Sequence, residues 1–159
     1  MGRKESREHA FILIFEKLFH ESLTYEELQK LTAQSALFEI DPFCEALYTT
    51  SEAHSEEINE TIRPFLRKWR LERLPKVSLA LLRLAVTEIL YMPEIPAPVS
   101  ANEAVNLAKR YATPEDASFI NGVLGSLIRG RAKAQAEAQA AGDAAADKPT
   151  DGCAPEQTT

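Results

Sequence analysis

Apolar side chains recur every three or four positions through residues 1–130, and prolines interrupt this period at a few points. The spacing places the apolar residues on one face of an α-helix, and no stretch shows the period of two that a half-buried strand needs. The pattern therefore predicts an all-α protein of about six or seven helices. One apolar stripe, over Lys76 to Tyr91, is wide enough to predict a central, mostly buried helix.

Three segments carry the signals of a helix start. Thr24 with Glu27 and Ser100 with Glu103 match the capping box, in which a hydroxyl and a carboxylate three residues apart satisfy free backbone N–H groups. Thr113 stands directly before a proline, which favours an N-cap at this position. We therefore expect helices to begin at these three places.

A longer apolar face follows Asp41. Asp41 and Pro42 form an N-cap and a first helical residue, and the face continues from there to Phe65. This predicts one helix of about six or seven turns. Pro64 is expected to bend or end it, because proline lacks the N–H that the helix ladder needs.

The composition changes near Gly130. Residues 131–159 contain no Leu, Ile, Val, Phe, Tyr, Trp or Met. Such a segment has nothing large to bury and cannot offset the entropy of ordering it. We therefore expect a folded domain at 1–130 and a tail at 131–159, in which the Ala- and Gln-rich first half extends the last helix and residues 142–159 are disordered.

The charge is unevenly distributed. The 159 residues carry a formal net charge of −6, which taken alone argues against a nucleic-acid partner. However, residues 16–62 have a net charge of −9 and residues 63–83, the basic zone, have +6. Two interpretations of the basic zone stay open, a solvated helical surface and a strip that contacts phosphates. Its cations are Arg63, Arg67, Lys68, Arg70, Arg73, Lys76 and Arg83.

No combination of residues in the sequence supports catalysis. His9, His20 and His54 do not show the His/Cys spacing of a zinc site, and there is no glycine-rich phosphate loop or nucleophile motif. We therefore expect a binding protein and not an enzyme, with no metal and no cofactor.

The two cysteines differ in setting. Cys44 lies in an apolar stretch and Cys153 in the polar tail, so we expect Cys44 in the core and no disulfide framework. The N-terminus lacks the apolar core of a signal peptide, and no apolar run approaches the roughly 18 residues of a membrane span. These observations predict a cytoplasmic protein without membrane contact.

Four sequence segments together resemble the NusB family of transcription antitermination factors. Residues 3–11 approach R-x-x-x-R-E-x-A-F, and residues 74–90 approach L-x-x-V-x-x-A-x-L-R-x-A-x-x-E-x-L. Residues 98–109 match P-V-x-x-N-E-A-V-x-L-A-K, and residues 119–124 read F-I-N-G-V-L. The resemblance covers nearly all of residues 1–130.

This resemblance implies a single domain of two helical subdomains that binds boxA-type single-stranded RNA together with the ribosomal protein NusE. The family joins RNA polymerase with other Nus factors and suppresses premature termination in ribosomal RNA operons. Carried over to this sequence, it assigns phosphate contacts to Arg3, Lys4 and Arg7, a base contact to Phe119, and a further cation to Arg83. Core packing for Phe119 and a boundary position for Arg83 are the alternatives.

Other functions stay open at this point. The chain could be an RNA-recognition domain related to those of ribosomal-RNA cytosine methyltransferases, or an adaptor that binds only proteins through its acidic residues 16–62. The sequence does not distinguish a monomer from a homodimer, and it does not show which surface binds NusE.

Overall fold

The computed structural model describes residues 2–35 and 38–153, with side chains up to residue 141. Within these residues the fold is entirely helical, which confirms the predicted class. Two 3₁₀ turns, Arg63–Phe65 and Leu71–Arg73, join the fourth and fifth helices. The seven α-helices are α1 (Arg3–Phe19), α2 (Tyr25–Ser35), α3 (Pro42–Ala53), α4 (Ser55–Ile62), α5 (Lys76–Tyr91), α6 (Ala97–Tyr111) and α7 (Pro114–Cys153).

Helix α5 lies at the centre of the molecule, as its wide apolar stripe predicts. All of residues 78–88 except Arg83 are buried. Helices α1, α3 and α4 contact α5, and α6 and α7 also pack against it. Two groups of helices therefore share one core, and each fully buried Leu or Val of α5 contributes about 1.5–3 kcal/mol.

Three of the predicted helix starts are confirmed by their hydrogen bonds. The N–H of Glu27 donates to Thr24 Oγ1 at 3.2 Å, and the N–H of Thr24 donates to Glu27 Oε1 at 3.3 Å. Asp41 Oδ1 accepts from the N–H of Cys44 at 2.8 Å before α3. Thr113 Oγ1 accepts from the third residue of α7 at 3.0 Å.

The capping box predicted at Ser100 and Glu103 is wrong. Helix α6 begins three residues earlier, at Ala97, with a proline in its first turn, and the N–H of Ser100 donates to Pro96 O at 3.3 Å. Ser100 is buried, and its hydroxyl donates to Glu88 Oε1 of α5 at 3.0 Å. The hydroxyl therefore joins α6 to α5. The proline in the first turn of α6 has no N–H, so one fewer backbone donor needs a cap there.

The prediction of a single long helix from Asp41 to Phe65 is also wrong, because the helix is interrupted at His54. This residue has φ −116° and ψ 26°, between the end of α3 and the start of α4. Its ring stacks on Tyr91 of α5 with centroids 4.3 Å apart. The break keeps the apolar faces of both helices towards α5, so the period alone does not reveal it. Pro64 lies in the 3₁₀ turn after α4, as expected.

Helix α7 continues past Gly130, and residues 132–141 are exposed. This agrees with the helical extension expected from the Ala- and Gln-rich composition. Of the segment predicted to be disordered, the backbone of residues 142–153 belongs to α7, and residues 154–159 lie outside the described residues. No helix in the described part is both long and apolar enough to cross a membrane.

Candidate nucleic-acid interface

A groove that combines cations with aromatic rings lies between the turn after α4 and one face of α7. We call it the aromatic groove. One wall is formed by residues 65–69 and the other by α7 residues from Ser118 to Arg129, and no carboxylate lines it. Its lining residues are Phe65, Leu66, Arg67, Lys68, Trp69, Ser118, Phe119, Gly122, Val123, Ser126 and Arg129.

Two aromatic rings meet in this groove. The ring of Trp69 is 56% exposed, and Phe119 is half-buried. Their centroids are 6.1 Å apart with an angle of 73° between the planes, which is an edge-to-face contact. Phe119 therefore packs against the core on one side and supports Trp69 on the other. The exposed part of Trp69 is accessible to a flat apolar group such as an unstacked base.

The backbone of Arg67 adopts a left-handed conformation, with φ 59°. Such a conformation costs a residue with a Cβ about 1 kcal/mol or more. It lies in a turn whose ends are fixed, since the N–H of Leu66 donates to Arg63 O and the N–H of Trp69 donates to Leu66 O, both at 3.1 Å. Because Leu66 is buried, this turn holds Lys68 and Trp69 beside α7.

Gly130 fixes the distance between the turn and α7. A Cβ at this position would lie 3.0 Å from Phe65 Cζ, which is closer than ordinary van der Waals contact. The ring of Phe65 therefore rests directly on the backbone of α7. The absence of a side chain at residue 130 lets the two walls of the aromatic groove approach each other.

Three of the seven cations of the basic zone, Arg63, Lys76 and Arg83, are engaged with other side chains. Arg63 pairs with Glu60 at 2.9 Å and with Glu72 at 2.7 Å. The ammonium of Lys76 lies 5.5 Å from the ring centroid of Phe19. In contrast, Arg67, Lys68, Arg70 and Arg73 are exposed and form no ion pair among the described side chains, and of these four only Arg67 and Lys68 line the aromatic groove.

Arg83 lies between α4 and α5 and is half-buried. Its Nε donates to Asn59 Oδ1 at 3.2 Å. Burial lowers the pKa of its guanidinium, and the nearby carboxylates of Glu52 and Glu21 oppose this effect. Arg83 thus occupies the boundary position that the sequence left open as its alternative.

Two of the predicted phosphate contacts are exposed at the start of α1. The guanidinium of Arg3 lies over the ring of Phe43, 4.4 Å from its centroid. The side chain of Lys4 is 76% exposed, and its Nζ lies 3.9 Å from Glu103 Oε1. Both cations are accessible to a phosphate, although Lys4 also forms an ion pair with Glu103.

The phosphate contact predicted for Arg7 needs correction. Arg7 is only 5% exposed, and its Nε donates to both carboxylate oxygens of Glu88, at 3.0 and 2.8 Å. The same carboxylate accepts the hydrogen bond from Ser100. This buried pair joins α1 to α5 and α6, so the guanidinium is not available to a ligand.

The structure therefore does not place the five predicted residues in one site. Arg3 and Lys4 lie at the start of α1, Arg83 lies between α4 and α5, and Phe119 lines the aromatic groove. Sequence reasoning missed Trp69 as the partner of Phe119. The single tryptophan of the chain lies inside the basic zone, and this combination was a usable signal.

Cys44 and His9 have structural roles. Cys44 is fully buried, and burial raises the pKa of its thiol to about 12, so it stays protonated in the core as predicted. The ring of His9 stacks on Phe38 with centroids 4.1 Å apart. Among the described residues no group of His, Cys, Asp and Glu is arranged to hold a metal.

These features define the class of the protein: an all-helical binding domain whose accessible surface pairs cations with aromatic rings. Comparison with protein families then gives the family itself. The model of the NusB family matches residues 4–129, and the chain belongs to this family. The resemblance drawn from the sequence motifs is thereby confirmed.

Curated relatives and solved structures agree with this assignment. Transcription antitermination protein NusB of Lysinibacillus sphaericus (strain C3-41) is 42% identical over 125 residues, which cover 78% of this chain and 94% of the relative. NusB of Natranaerobius thermophilus is 32% identical over 139 residues, covering 85% of this chain and 100% of the relative.

Two solved structures share the fold. T. maritima NusB superposes with a TM-score of 0.71 at 27% identity, covering 81% of this chain and 92% of that one. A structure of antitermination factors NusB and NusE in complex with dsRNA gives a TM-score of 0.70 at 25% identity, covering 80% of this chain and 96% of that one.

Proposed function

We propose that this chain is a transcription antitermination factor that binds boxA-type single-stranded RNA jointly with the ribosomal protein NusE. In this role it acts with RNA polymerase and other Nus factors to promote read-through of ribosomal RNA operons, by binding and not by catalysis. Family membership supports the proposal, as does the related structure that contains NusB, NusE and dsRNA.

The aromatic groove is the observation that carries the RNA-binding part of the proposal. Single-stranded RNA presents a phosphate backbone and unstacked bases, which require cations and exposed aromatic faces. Arg67 and Lys68 supply adjacent cations within a tight turn, and Trp69 supplies an exposed ring that Phe119 supports. One stacked base contributes about 1–3 kcal/mol.

The predicted residues take different roles in this proposal. Phe119 positions Trp69 and contacts a base at its exposed edge. Arg3 and Lys4 form a second group of phosphate contacts at the start of α1. Arg83 holds α4 against α5 through Asn59 and is not a primary RNA contact.

The test measures binding of a boxA-type RNA, with and without NusE, to the wild type and to Trp69→Leu and Phe119→Leu variants. Loss of one stacked base predicts affinity reduced by about 5- to 150-fold. Phe19→Leu is the matched control, because Phe19 is 54% exposed and lies outside the groove. Circular dichroism checks that each variant is folded. Equal affinities for folded groove variants and control would refute the proposed site.

A second function is favoured by the acidic residues 16–62, whose net charge of −9 suits a basic protein partner. In this case the chain is an adaptor that binds NusE without contributing to RNA binding. Stoichiometric binding of NusE with no increase in RNA affinity would support it. The alternative of a methyltransferase RNA-recognition domain is disfavoured, because the two curated relatives compared above, 42% and 32% identical to this chain, are antitermination proteins.

A further inference from the structure

The groove-lining face of α7 continues beyond the residues that the family model matches. Ser118, Gly122, Ser126 and Arg129 all line the aromatic groove and follow one another at intervals of three or four residues. Residues at this spacing share a helix face, and the next position in the series is Lys133. The family match ends at residue 129, so Lys133 lies outside it.

Lys133 is placed to meet a ligand that leaves the groove along α7. It is exposed and forms no ion pair among the described side chains. Arg131 belongs to a different face, since it lines a hollow with Pro93 and Ile95 on the connection between α5 and α6. Two cations only two residues apart on α7 therefore point to different surroundings.

The contact between Phe65 and Gly130 ties this part of α7 to the groove. The ring of Phe65 rests on the helix within the turn that separates Arg129 from Lys133. The wall formed by residues 65–69 therefore contacts α7 at Gly130, about one helical turn before Lys133. Cations of that wall and of α7 lie along one surface, which begins at the aromatic rings.

We propose that Arg129 and Lys133 form a phosphate-binding track that guides single-stranded RNA from the aromatic groove along α7. This inference rests on the proposed function, because it extends the same RNA site. From Phe119 to Lys133 the helix rises by about 21 Å. At about 3.4 Å per phosphate of a stacked strand, this distance corresponds to about six nucleotides. Glu137, exposed and four residues further along, carries the opposite charge and ends the track.

The experiment compares a boxA-type RNA with the same RNA lengthened by six nucleotides at its 5′ or its 3′ end. The proteins are the full chain, Lys133→Gln, and Arg131→Gln as matched control, all measured in the presence of NusE. One of the two extensions is expected to tighten binding to the wild type and to Arg131→Gln. Lys133→Gln loses this gain, and its salt slope falls by about 0.7, equivalent to about 2.6-fold less loss of affinity over a fourfold rise in salt.

A chain that ends after Gly130 provides a second variant. Residues 132–141 are exposed, so its melting temperature is expected to match that of the full chain, while the gain from the extended RNA disappears. The track is refuted if neither extension tightens binding to the wild type, or if Lys133→Gln and Arg131→Gln lose affinity equally. Weaker binding of Lys133→Gln to NusE without RNA also refutes it. Failure of the wild type to bind boxA RNA at all would instead refute the proposed function.

Discussion

At the scale of single residues, Arg67 has opposite effects on stability and on binding. Its left-handed backbone is strained for a residue with a Cβ, yet the turn around it places Lys68 and Trp69 at the groove. A glycine would adopt the same φ without this cost. The presence of arginine here is explained if its charge serves the ligand.

We predict that Arg67→Gly leaves the free energy of unfolding within about 1 kcal/mol of the wild type, because relief of strain offsets the larger entropy of the unfolded glycine. The same variant binds boxA RNA more weakly, since it lacks one phosphate contact. Urea denaturation and RNA titration measure the two quantities. Arg67→Ala is the control, which loses the same charge but keeps the strain and adds no glycine entropy, so it should match the wild type in stability and Arg67→Gly in RNA affinity. Unchanged RNA affinity in both variants would show that Arg67 does not contact the RNA.

For the proposed RNA site, the sequence predicts which residue types are present better than it predicts which of their side chains are exposed. The burial of Arg7 could have been predicted, because Arg7 precedes Ala10 and Phe11 by three and four residues and so shares their buried helix face. The aromatic groove could not have been predicted in the same way. Trp69 lies in a turn without any period, and Phe119 comes from a helix far away in sequence. Only tertiary packing brings these two rings together.

At the scale of the elements, the start of α3 depends on one carboxylate. Asp41 accepts hydrogen bonds from the hydroxyl of Ser6 on α1 and from the N–H of Cys44. The bond from Ser6, followed by that from Cys44, lowers the pKa of Asp41, while burial opposes the shift. The same side chain therefore caps α3 and holds it against α1.

We predict that Asp41→Ala destabilises the protein by about 1 kcal/mol at neutral pH, the ordinary cost of losing an N-cap. Asp41→Asn keeps a neutral acceptor and should lose less. A lowered pKa in the folded state means that ionised Asp41 stabilises the fold above the unfolded pKa of about 4, and that this contribution is lost as the pH falls through the folded value. The urea midpoints of the wild type and Asp41→Asn should therefore converge below about pH 4. A constant difference down to pH 2 would contradict this role.

Helix ends were predicted well where a side chain caps the backbone and poorly where tertiary contacts decide. The caps at Thr24, Asp41 and Thr113 act locally, so their sequence signal is sufficient. The break at His54 coincides with stacking of its ring against Tyr91 on a helix distant in sequence. Likewise Ser100 caps nothing, because Glu88 of α5 takes its hydrogen bond.

At the scale of the whole molecule, α5 joins the two groups of helices. Its apolar residues alone predict a central position, since a helix that is apolar on nearly all sides has to be covered on all sides. The polar connection through Arg7, Glu88 and Ser100 was not predicted. It links α1, α5 and α6 through one buried carboxylate.

We predict that Arg7→Met lowers the free energy of unfolding by about 3–5 kcal/mol, because it leaves the Glu88 carboxylate buried without its cation. The double variant Arg7→Met/Glu88→Leu should recover part of this loss, although Ser100 then lacks its acceptor. Thermal and urea denaturation measure both effects. The folded double variant should bind boxA RNA as the wild type does. Weaker RNA binding by this folded variant would restore Arg7 as a phosphate contact.

The net charge of −6 is a poor guide to RNA binding, because the RNA interacts with the charges near its binding site. Cations accessible at the proposed surfaces are Arg67 and Lys68 in the turn, Arg129 on α7, and Arg3 and Lys4 at the start of α1. The acidic residues 16–62 lie in a separate part of the sequence, mainly on α2, α3 and α4. RNA binding should therefore respond to salt as it does in a basic protein.

We predict that the logarithm of the boxA RNA affinity falls linearly with the logarithm of salt concentration, with a slope of about −3.5 for about five phosphate contacts on a single strand. The double variant Arg67→Gln/Lys68→Gln should reduce this slope by about 1.4. As a control, Arg63→Gln removes a neighbouring cation that is already paired with Glu60 and Glu72, and it should leave the slope nearly unchanged. Fluorescence anisotropy from 50 to 200 mM salt measures all three proteins. Equal slopes for the wild type and the double variant would mean that these cations form a solvated surface, since a phosphate contact has to release counterions when it forms.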